Sequence, residues 1–146
     1  MSDCLICERI EMIKQGTNPW FVKELETGYV VIGDHQTYKG YTVFLCKEHS
    51  SELHDLDPAF RQKFLSEMSL VAEAVYKSFC PDKLNYELLG NSDEHMHWHL
   101  FPRRKTDKKA YTAIWAVAKE ERDAEPTDTE LQKLKVTLLE ELEKLV

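Results

Sequence analysis

The segment from His95 to Phe101 reads HMHWHLF, and its alternation of histidine with apolar residues constrains the fold more than any other part of the chain. A β-strand turns alternate side chains to opposite faces. A strand here therefore places three imidazoles on one side of a sheet and the three intervening apolar side chains on the other, against a core. A helix would distribute the rings around its axis. Since imidazole serves as nucleophile, proton carrier or metal ligand near neutral pH, the pattern predicts a strand that carries a functional site.

Two other interpretations of the three histidines need to be weighed. They could be surface or core residues without function, but three of the six histidines of the chain fall within five residues on the same strand parity. They could also hold a catalytic metal, because two histidines spaced H-x-H on a strand can converge on one zinc ion. The second interpretation stays open at this point.

Composition restricts the class of protein. The 146 residues, with 42% hydrophobic and 31% charged residues, are typical of one soluble globular domain spanning 1–146. The chain has no apolar run of about 18 residues that could span a bilayer. It begins without the basic and apolar regions of a signal peptide, so we expect a cytoplasmic protein. A net charge of -7 argues against nucleic acid polymers as partners, because their binding depends on neutralising phosphates.

One basic segment departs from the acidic balance and follows the histidine strand directly. Its position beside the three histidines favours a role in holding an anionic substrate, although a solvated loop is the alternative. The cations are Arg103, Arg104, Lys105, Lys108 and Lys109.

The four cysteines divide into two kinds. Cys46 lies in an apolar strand-like segment and Cys80 follows a helical one, so both are interpreted as structural. Cys4 and Cys7 form a C-x-x-C motif at the N-terminus, where no residues are available for the strand that precedes a redox motif of this kind. A zinc knuckle fits better, and it requires two further ligands elsewhere in the chain.

Hydrophobic periodicity and the positions of glycine and proline predict the remaining helices and strands. Residues 5–15 form a short helix, segments near 20–25, 29–33 and 41–47 are strand-like, and a long helix covers about 58–80. Asp57 caps that helix and Pro58 occupies its first position. Leu84, Tyr86 and Leu88 alternate with polar residues as a further strand.

Two connections follow from these elements. Only Ser92 to Glu94 separate the strand near 84–88, with its Gly90-Asn91 extension, from the histidine strand, so we expect a tight antiparallel hairpin. A capping-box pattern that begins at Thr127 opens a last helix over about 127–146. Its leucine face packs either on the domain or across a dimer.

The histidine strand and its surroundings resemble the histidine triad (HIT) superfamily, in which histidine alternates with apolar residues and the segment often ends in Pro-Arg. The matching segments are 34–36, 40–45, 47–49, 52–53, 85–91 and 95–103. The strand before the triad is similar to that of bacterial members described as diadenosine tetraphosphate hydrolases. The resemblance implies an α+β fold, with an antiparallel sheet of about five strands and helices packed on one face.

The resemblance also implies a reaction. HIT enzymes hydrolyse or transfer nucleotides through a covalent nucleotidyl-histidine, and the middle histidine, His97 here, attacks the α-phosphorus. His99 contacts the phosphate and assists the leaving group. The implied substrates are dinucleoside polyphosphates or adenylyl conjugates. The implied substrate-binding residues are Asp34 for the ribose hydroxyls, Asn91 for the phosphates, and Gln36 and Arg103 in the matching segments.

Zinc-containing relatives imply a metal site and an assembly. The pattern of C-x-x-C, a histidine after the second strand pair and the first triad histidine corresponds to Cys4, Cys7, His49 and His95. This set is closed and tetrahedral, so the zinc is expected to be structural. HIT relatives are homodimers whose sheets join across a two-fold axis, and the same assembly is implied here.

Two departures from the family pattern concern the site. Tyr41 stands where many members carry a fourth histidine, so support for the triad is expected to come from elsewhere. The glycine- and glutamine-bearing loop before the triad is shortened to 92–94, which affects substrate choice more than the nucleophile. Two alternative functions remain: a metal-dependent hydrolase with the strand histidines as ligands, and a nucleotide-binding protein with little turnover.

Overall fold

The computed structural model describes residues 3–107, 109–122 and 124–146, and a five-stranded antiparallel sheet organises them. The order of strands across the sheet is β1-β2-β3-β5-β4, so the histidine strand lies between β3 and β4. This architecture confirms the predicted α+β class and strand number. The strands are β1 (Phe21–Glu24), β2 (Gly28–Ile32), β3 (Thr42–Cys46), β4 (Lys83–Glu87) and β5 (His97–Arg103).

Each predicted helix is present, and the two for which the sequence predicts a cap begin at that cap. The Asp57 carboxylate accepts a hydrogen bond from the Ala59 N–H at the start of α2, and the Thr127 hydroxyl accepts one from the Glu130 N–H at the start of α4. Helix α2 ends at the left-handed Cys80, just before Pro81. The helices are α1 (Leu5–Lys14), α2 (Pro58–Phe79), α3 (Lys119–Arg122) and α4 (Asp128–Leu145), with short 3₁₀ turns at Leu53–Asp55 and Ile114–Ala116.

The two faces of the sheet bury different sets of side chains. The even-numbered positions of the central strands pack against α2 and α4, among them Phe44 and Leu100, both fully buried. The odd-numbered positions face α1 and the 114–117 segment, among them Val43 and Phe101. The triad histidines of β5 share this second face, and the two long helices cover the other. The predicted division of the strand into a histidine side and a core side is confirmed.

The connection between β4 and β5 corrects one prediction. The strands pair antiparallel, as expected, but Glu87 lies opposite His99, so residues 88–96 form a nine-residue connection rather than a tight turn. His95 therefore lies outside the regular strand, which begins at His97. The reason is that the ring of His95 turns to the N-terminal cysteines, and its carbonyl accepts a hydrogen bond from the His97 ring instead of from a neighbouring strand.

Helix α4 packs on its own domain. Its leucine face, which includes Leu138 and Leu142, joins the core formed by α2 and the sheet. Intramolecular burial thus satisfies the face whose partner the sequence left open. Among the described helices, none combines the length and the apolar character needed to cross a membrane.

Candidate active site and metal centre

His97 and His99 line a cleft on the α1 face of the sheet. The cleft has a volume of about 660 Å³, including space that is open to solvent. One wall is apolar and comes from α1 and the odd-numbered positions of β2 and β3. Polar groups at the rim include Arg9, Asp34 and Asp93. The apolar wall consists of Leu5, Ile6, Trp20, Val31, Val43 and Leu45.

The ring of His97 is oriented by the backbone of the residue two positions before it. Its Nδ1 lies 2.7 Å from the carbonyl oxygen of His95. Because a carbonyl only accepts, Nδ1 carries the ring proton and donates it. The Nε2 atom of a neutral imidazole in this tautomer has a free lone pair. His97 is therefore held in the form in which Nε2 can act as a nucleophile or metal ligand.

His99 contacts Tyr41, which corrects the expectation that support for the triad comes from elsewhere. The Tyr41 hydroxyl oxygen lies 2.6 Å from His99 Nδ1. Burial, with smaller contributions from His97 and His35, lowers the pKa of His99 to about 3. Burial likewise raises the pKa of the Tyr41 phenol above its usual value. At neutral pH both groups are therefore uncharged.

A tryptophan that the sequence motifs did not indicate closes the outer side of His99. The Trp115 ring meets the ring of His99 edge-on, with the centroids 5.5 Å apart. Its indole N–H donates to the carboxylate of Glu87, the residue opposite His99 on β4. The Arg122 guanidinium lies over the Trp115 ring, 5.0 Å from the ring centroid. Since Trp115 follows the triad by 16 positions in an irregular segment, no spacing pattern could have assigned it.

The four expected metal ligands come together. Cys4 caps α1 and Cys7 occupies its first turn, where the Cys4 sulfur accepts the Cys7 N–H at 3.3 Å. His95 Nδ1 lies 3.5 Å from Cys4 Sγ and 3.4 Å from Cys7 Sγ, and His49 Nδ1 lies 3.3 Å from Cys7 Sγ. All four donor atoms lie within 4.8 Å of one another. These four residues could therefore hold a metal ion.

We call Cys4, Cys7, His49 and His95 together the metal cluster. His95 belongs to this cluster through its ring and contacts His97 in the cleft through its backbone carbonyl. Its Nε2 donates to the carbonyl of Cys46 at 2.7 Å, which directs Nδ1 towards the sulfurs. Its backbone carbonyl accepts from His97. His95 is almost fully buried, with 1% of its surface exposed. One residue thus fixes a donor atom of the metal cluster and the tautomer of His97.

Two of the expected substrate-binding residues lie in the turn after β2. Asp34 lines the cleft and pairs with Arg9, whose nitrogen lies 3.3 Å from its carboxylate. Gln36 has another role: its amide donates to the carbonyls of Gly33 and Tyr41 and accepts the N–H of Gly40. The structure therefore places Asp34 at the rim and uses Gln36 to hold the turn.

The other two expected substrate-binding residues, Asn91 and Arg103, also have different roles: one lines a cavity and the other holds a loop. Asn91 lies in the 88–96 connection and lines a second cavity together with His97. Arg103, however, is 2% exposed and donates to the Asn85 side chain and to the carbonyls of Lys109 and Thr112. The expectation that Arg103 holds substrate is corrected accordingly, because its guanidinium is engaged in anchoring the loop.

The rest of the basic segment does not form a cationic wall of the cleft in the part of the chain that the structure describes. Arg104 donates to the carbonyls of Phe79 and Lys39, and Lys109 donates to that of Ala116. Lys105 lines a separate depression beside Asp82. The expected position of Lys108 lies outside the described residues.

Comparison with known proteins agrees with this geometry. A curated relative named adenosine 5'-monophosphoramidase, from Saccharomyces cerevisiae, is 26% identical over 148 residues that cover 96% of this chain and 83% of the relative. A histidine triad protein from Marinobacter aquaeolei has the same fold, with a TM-score of 0.77, 22% identity and coverage of 86% of this chain and 90% of that one.

A Zn-bound histidine triad family protein from Mycobacterium smegmatis also shares the fold. Its TM-score is 0.66 at 21% identity, and the match covers 94% of both chains. Residues 20–106, more than half of the sequence, match the HIT domain family. This match takes in all five strands, the cleft histidines and two of the four metal-cluster residues, and it shows that the chain belongs to the HIT domain family.

Proposed function

We propose that this protein hydrolyses adenylyl conjugates at the α-phosphate through a covalent nucleotidyl intermediate on His97. The observation that carries the proposal is the 2.7 Å hydrogen bond from His97 Nδ1 to the His95 carbonyl, which leaves the Nε2 lone pair available. The name of the yeast relative favours phosphoramidates, in which nitrogen leaves phosphorus, over the dinucleoside polyphosphates that the sequence resemblance also suggested.

The reaction proceeds in two displacements at phosphorus. In the first, His97 Nε2 attacks the α-phosphorus, a P–N bond to the ring forms, and the bond to the leaving amine breaks with its electron pair. The amine takes a proton from solvent. In the second, water attacks the same phosphorus, the bond to Nε2 breaks, and the proton of the water passes to solvent. The net reaction consumes one water and releases AMP and the amine, with His97 regenerated.

The cleft provides chemistry that suits a nucleoside monophosphate. Its apolar wall can cover a nucleobase, as expected of a pocket with a few polar groups at its rim. Asp34, at that rim, is proposed to accept hydrogen bonds from the ribose hydroxyls. On the other side of His97, Asn91 lines a cavity with His97, and we propose that its amide contacts the phosphate.

The metal cluster is proposed to hold a structural zinc ion. Tetrahedral bonds of about 2.3 Å to sulfur and about 2.0 Å to nitrogen place sulfur and nitrogen donors about 3.5 Å apart. The distances of 3.3–3.5 Å between the Cys7 and Cys4 sulfurs and the histidine Nδ1 atoms fit this value. Two thiolates and two imidazoles fill all four positions, so zinc would supply structure by tying α1 to the chain beside the nucleophile.

The same contacts argue against a metal-dependent hydrolase. Among the described residues, the donor set takes only His95 from the triad, while His97 and His99 bond to a carbonyl and a phenol through Nδ1. A nucleotide-binding protein without turnover would share the cleft but form no adduct. Formation of the adduct therefore separates this alternative from the proposed enzyme.

The test is turnover with two kinds of adenylyl substrate. Purified protein is incubated with adenosine 5'-phosphoramidate and with diadenosine tetraphosphate, AMP release is followed, and the reaction is quenched without acid to find label on His97. We expect AMP from the phosphoramidate, and neither AMP nor adduct with His97→Asn. The control is Gln132→Asn, at an exposed position on α4. Near-normal turnover by the His97 variant would contradict the mechanism.

A homodimer, implied by the family resemblance, is proposed as the assembly. In the described sheet β4 lies at one edge, and its Tyr86 side chain is half exposed. An unpaired strand edge is a template for pairing with another chain. Light scattering on the purified protein tests this proposal, and a monomer at micromolar concentration would contradict it.

A further inference from the structure

The ring of Tyr41 is fixed from both sides. A Cβ atom at Gly33 would lie 2.1 Å from the ring atom Cδ2 of Tyr41, so the ring occupies the space that this glycine leaves open. The other side stacks on Phe101, with centroids 4.1 Å apart and planes 13° from parallel. Only 4% of Tyr41 is exposed. Packing therefore delivers the phenol hydroxyl to one place, 2.6 Å from His99 Nδ1.

The position of the phenol proton decides the tautomer of His99. A hydroxyl has one proton to donate, and a buried donor without an acceptor is costly. Within the described residues, His99 Nδ1 is the acceptor that the Tyr41 hydroxyl reaches. When Tyr41 donates to Nδ1, that nitrogen holds a lone pair, and the proton of the neutral ring lies on Nε2.

With this assignment, the two cleft histidines carry their ring protons on different nitrogens. His97 carries its proton on Nδ1 and offers a lone pair at Nε2, because a carbonyl faces its Nδ1. His99 carries its proton on Nε2, because a hydroxyl donor faces its Nδ1. The two rings are close, with centroids 4.7 Å apart and planes at 70°. One ring is then able to attack phosphorus, and the other to donate to a phosphate oxygen.

We infer that Tyr41 is a positioning residue that fixes His99 as an uncharged hydrogen-bond donor to the phosphate, with the donated proton on Nε2. The inference rests on the proposed function for its kinetic consequence, and on the geometry alone for the tautomer. His99 would stabilise charge on the phosphate oxygens by hydrogen bonding, and the proton that the leaving amine needs comes from solvent.

The tautomer is measured in the free protein by ¹⁵N NMR of the histidine rings. Protonated and unprotonated ring nitrogens differ widely in shift, and the signals of His99 are those that disappear in His99→Gln. We expect a protonated Nε2 and a hydrogen-bonded, unprotonated Nδ1 in the parent protein. In Tyr41→Phe the Nδ1 signal should move to the position of a nitrogen without a hydrogen bond. A protonated Nδ1 in the parent would overturn the inference.

Kinetics test the consequence, with Tyr29→Phe as the matched control. Tyr29 is a buried tyrosine on the same face of the sheet, and the Lys47 ammonium lies over its ring, 5.3 Å from the centroid. We expect Tyr41→Phe to lower kcat about tenfold, the effect of losing one hydrogen bond that acts in the transition state. KM and metal content should remain those of the parent, because the ring packing persists, whereas the melting temperature should fall by about 3–10 °C, because the buried His99 Nδ1 loses its partner.

The NMR test and the kinetic test can each fail independently of the other. A parent protein without phosphoramidase activity would contradict the proposed function, but the NMR measurement would still decide the tautomer. An unchanged kcat in Tyr41→Phe, with the parent active, would overturn the positioning role. A fall in kcat accompanied by a loss of metal, or matched by an equal fall in kcat in Tyr29→Phe, would also overturn it, because the effect would then be structural.

Discussion

Gly33 offers the most direct perturbation of the cleft, because a single added methyl group reaches the contact between Tyr41 and His99. Its Cβ would lie 2.1 and 2.4 Å from two carbons of the Tyr41 ring. Carbon atoms in contact are about 3.5–4.0 Å apart, so the ring has to move by about 1.5 Å. The hydroxyl would then leave His99 Nδ1, since 2.6 Å is already a short hydrogen bond and such bonds end near about 3.2 Å.

We therefore predict that Gly33→Ala loses both stability and turnover. Overpacking of a core costs about 1–3 kcal/mol, and in a chain of this size that lowers the melting temperature by about 3–10 °C. Turnover of the phosphoramidate should fall about tenfold, as in Tyr41→Phe, because the same hydrogen bond is broken. Calorimetry and steady-state AMP release on one preparation measure the two effects.

The control for this prediction is Gly16→Ala. Gly16 has a left-handed backbone, with φ of +73°, and nothing within 4 Å of its added Cβ. Alanine there costs about 1–2 kcal/mol of backbone strain and touches no part of the cleft. The control should lose stability and keep its turnover. If Gly33→Ala retains the parent kcat and the parent His99 spectrum while its melting temperature falls, the argument that packing positions Tyr41 is refuted.

Three further predictions concern the metal, the ligand and pH. Protein purified without chelators should contain about one zinc per chain by mass spectrometry. Cys7→Ser should lose the zinc and melt at a lower temperature, whereas Cys80→Ser should keep both properties of the parent. Equal zinc in both variants would count against the site. AMP should raise the melting temperature by mass action, and no shift at millimolar AMP would contradict the nucleotide cleft. Because the pKa of His99 is lowered to about 3, the unfolded chain binds a proton between about pH 6.5 and 3 that the folded chain does not. His99 should therefore make the fold less stable as pH falls below about 6.5, by up to about 1.4 kcal/mol per pH unit; a chemical-denaturation series should show a shallower loss in His99→Gln, and identical pH profiles would refute the assignment.

The alternation of histidine and apolar residues predicted the strand and its two faces correctly because its cause is local. Side chains on a strand alternate between faces whatever the partner strands are, so the period alone separated the His97 and His99 side from the core side. The helix caps at Asp57 and Thr127 were predictable for the same reason, because each depends on residues within one turn.

The roles of Tyr41 and Arg103 were not predictable because each depends on a partner that tertiary structure supplies. Tyr41 reaches His99 only because Gly33, at the other end of the β2–β3 connection, leaves room for its ring. Arg103 follows the triad as a substrate-binding cation would, but carbonyls of the loop that returns over it at Lys109 and Thr112 occupy its guanidinium. Sequence position alone does not distinguish a free cation from a buried loop anchor.

The length of the β4–β5 connection was predicted wrongly for a related reason. The three residues from Ser92 to Glu94 between the two predicted strands suggested a tight turn, whereas the register of the pair has Glu87 lying opposite His99. His95 continues the alternating pattern in sequence but leaves the sheet to face the cysteines. Where a strand ends therefore depended on a contact with the N-terminus, 88–91 residues away in the chain.

The double use of His95 bears on how inhibition by a chelator should be interpreted. Because its ring faces the metal cluster and its carbonyl holds His97, removing the proposed zinc would release His97 from its orientation without any contact between metal and substrate. Slow inactivation by a chelator would then look like the loss of a catalytic metal. The order of events separates the two cases: here activity should decline together with the near-ultraviolet circular dichroism of the aromatic residues, whereas a catalytic metal would leave that signal intact while activity disappeared.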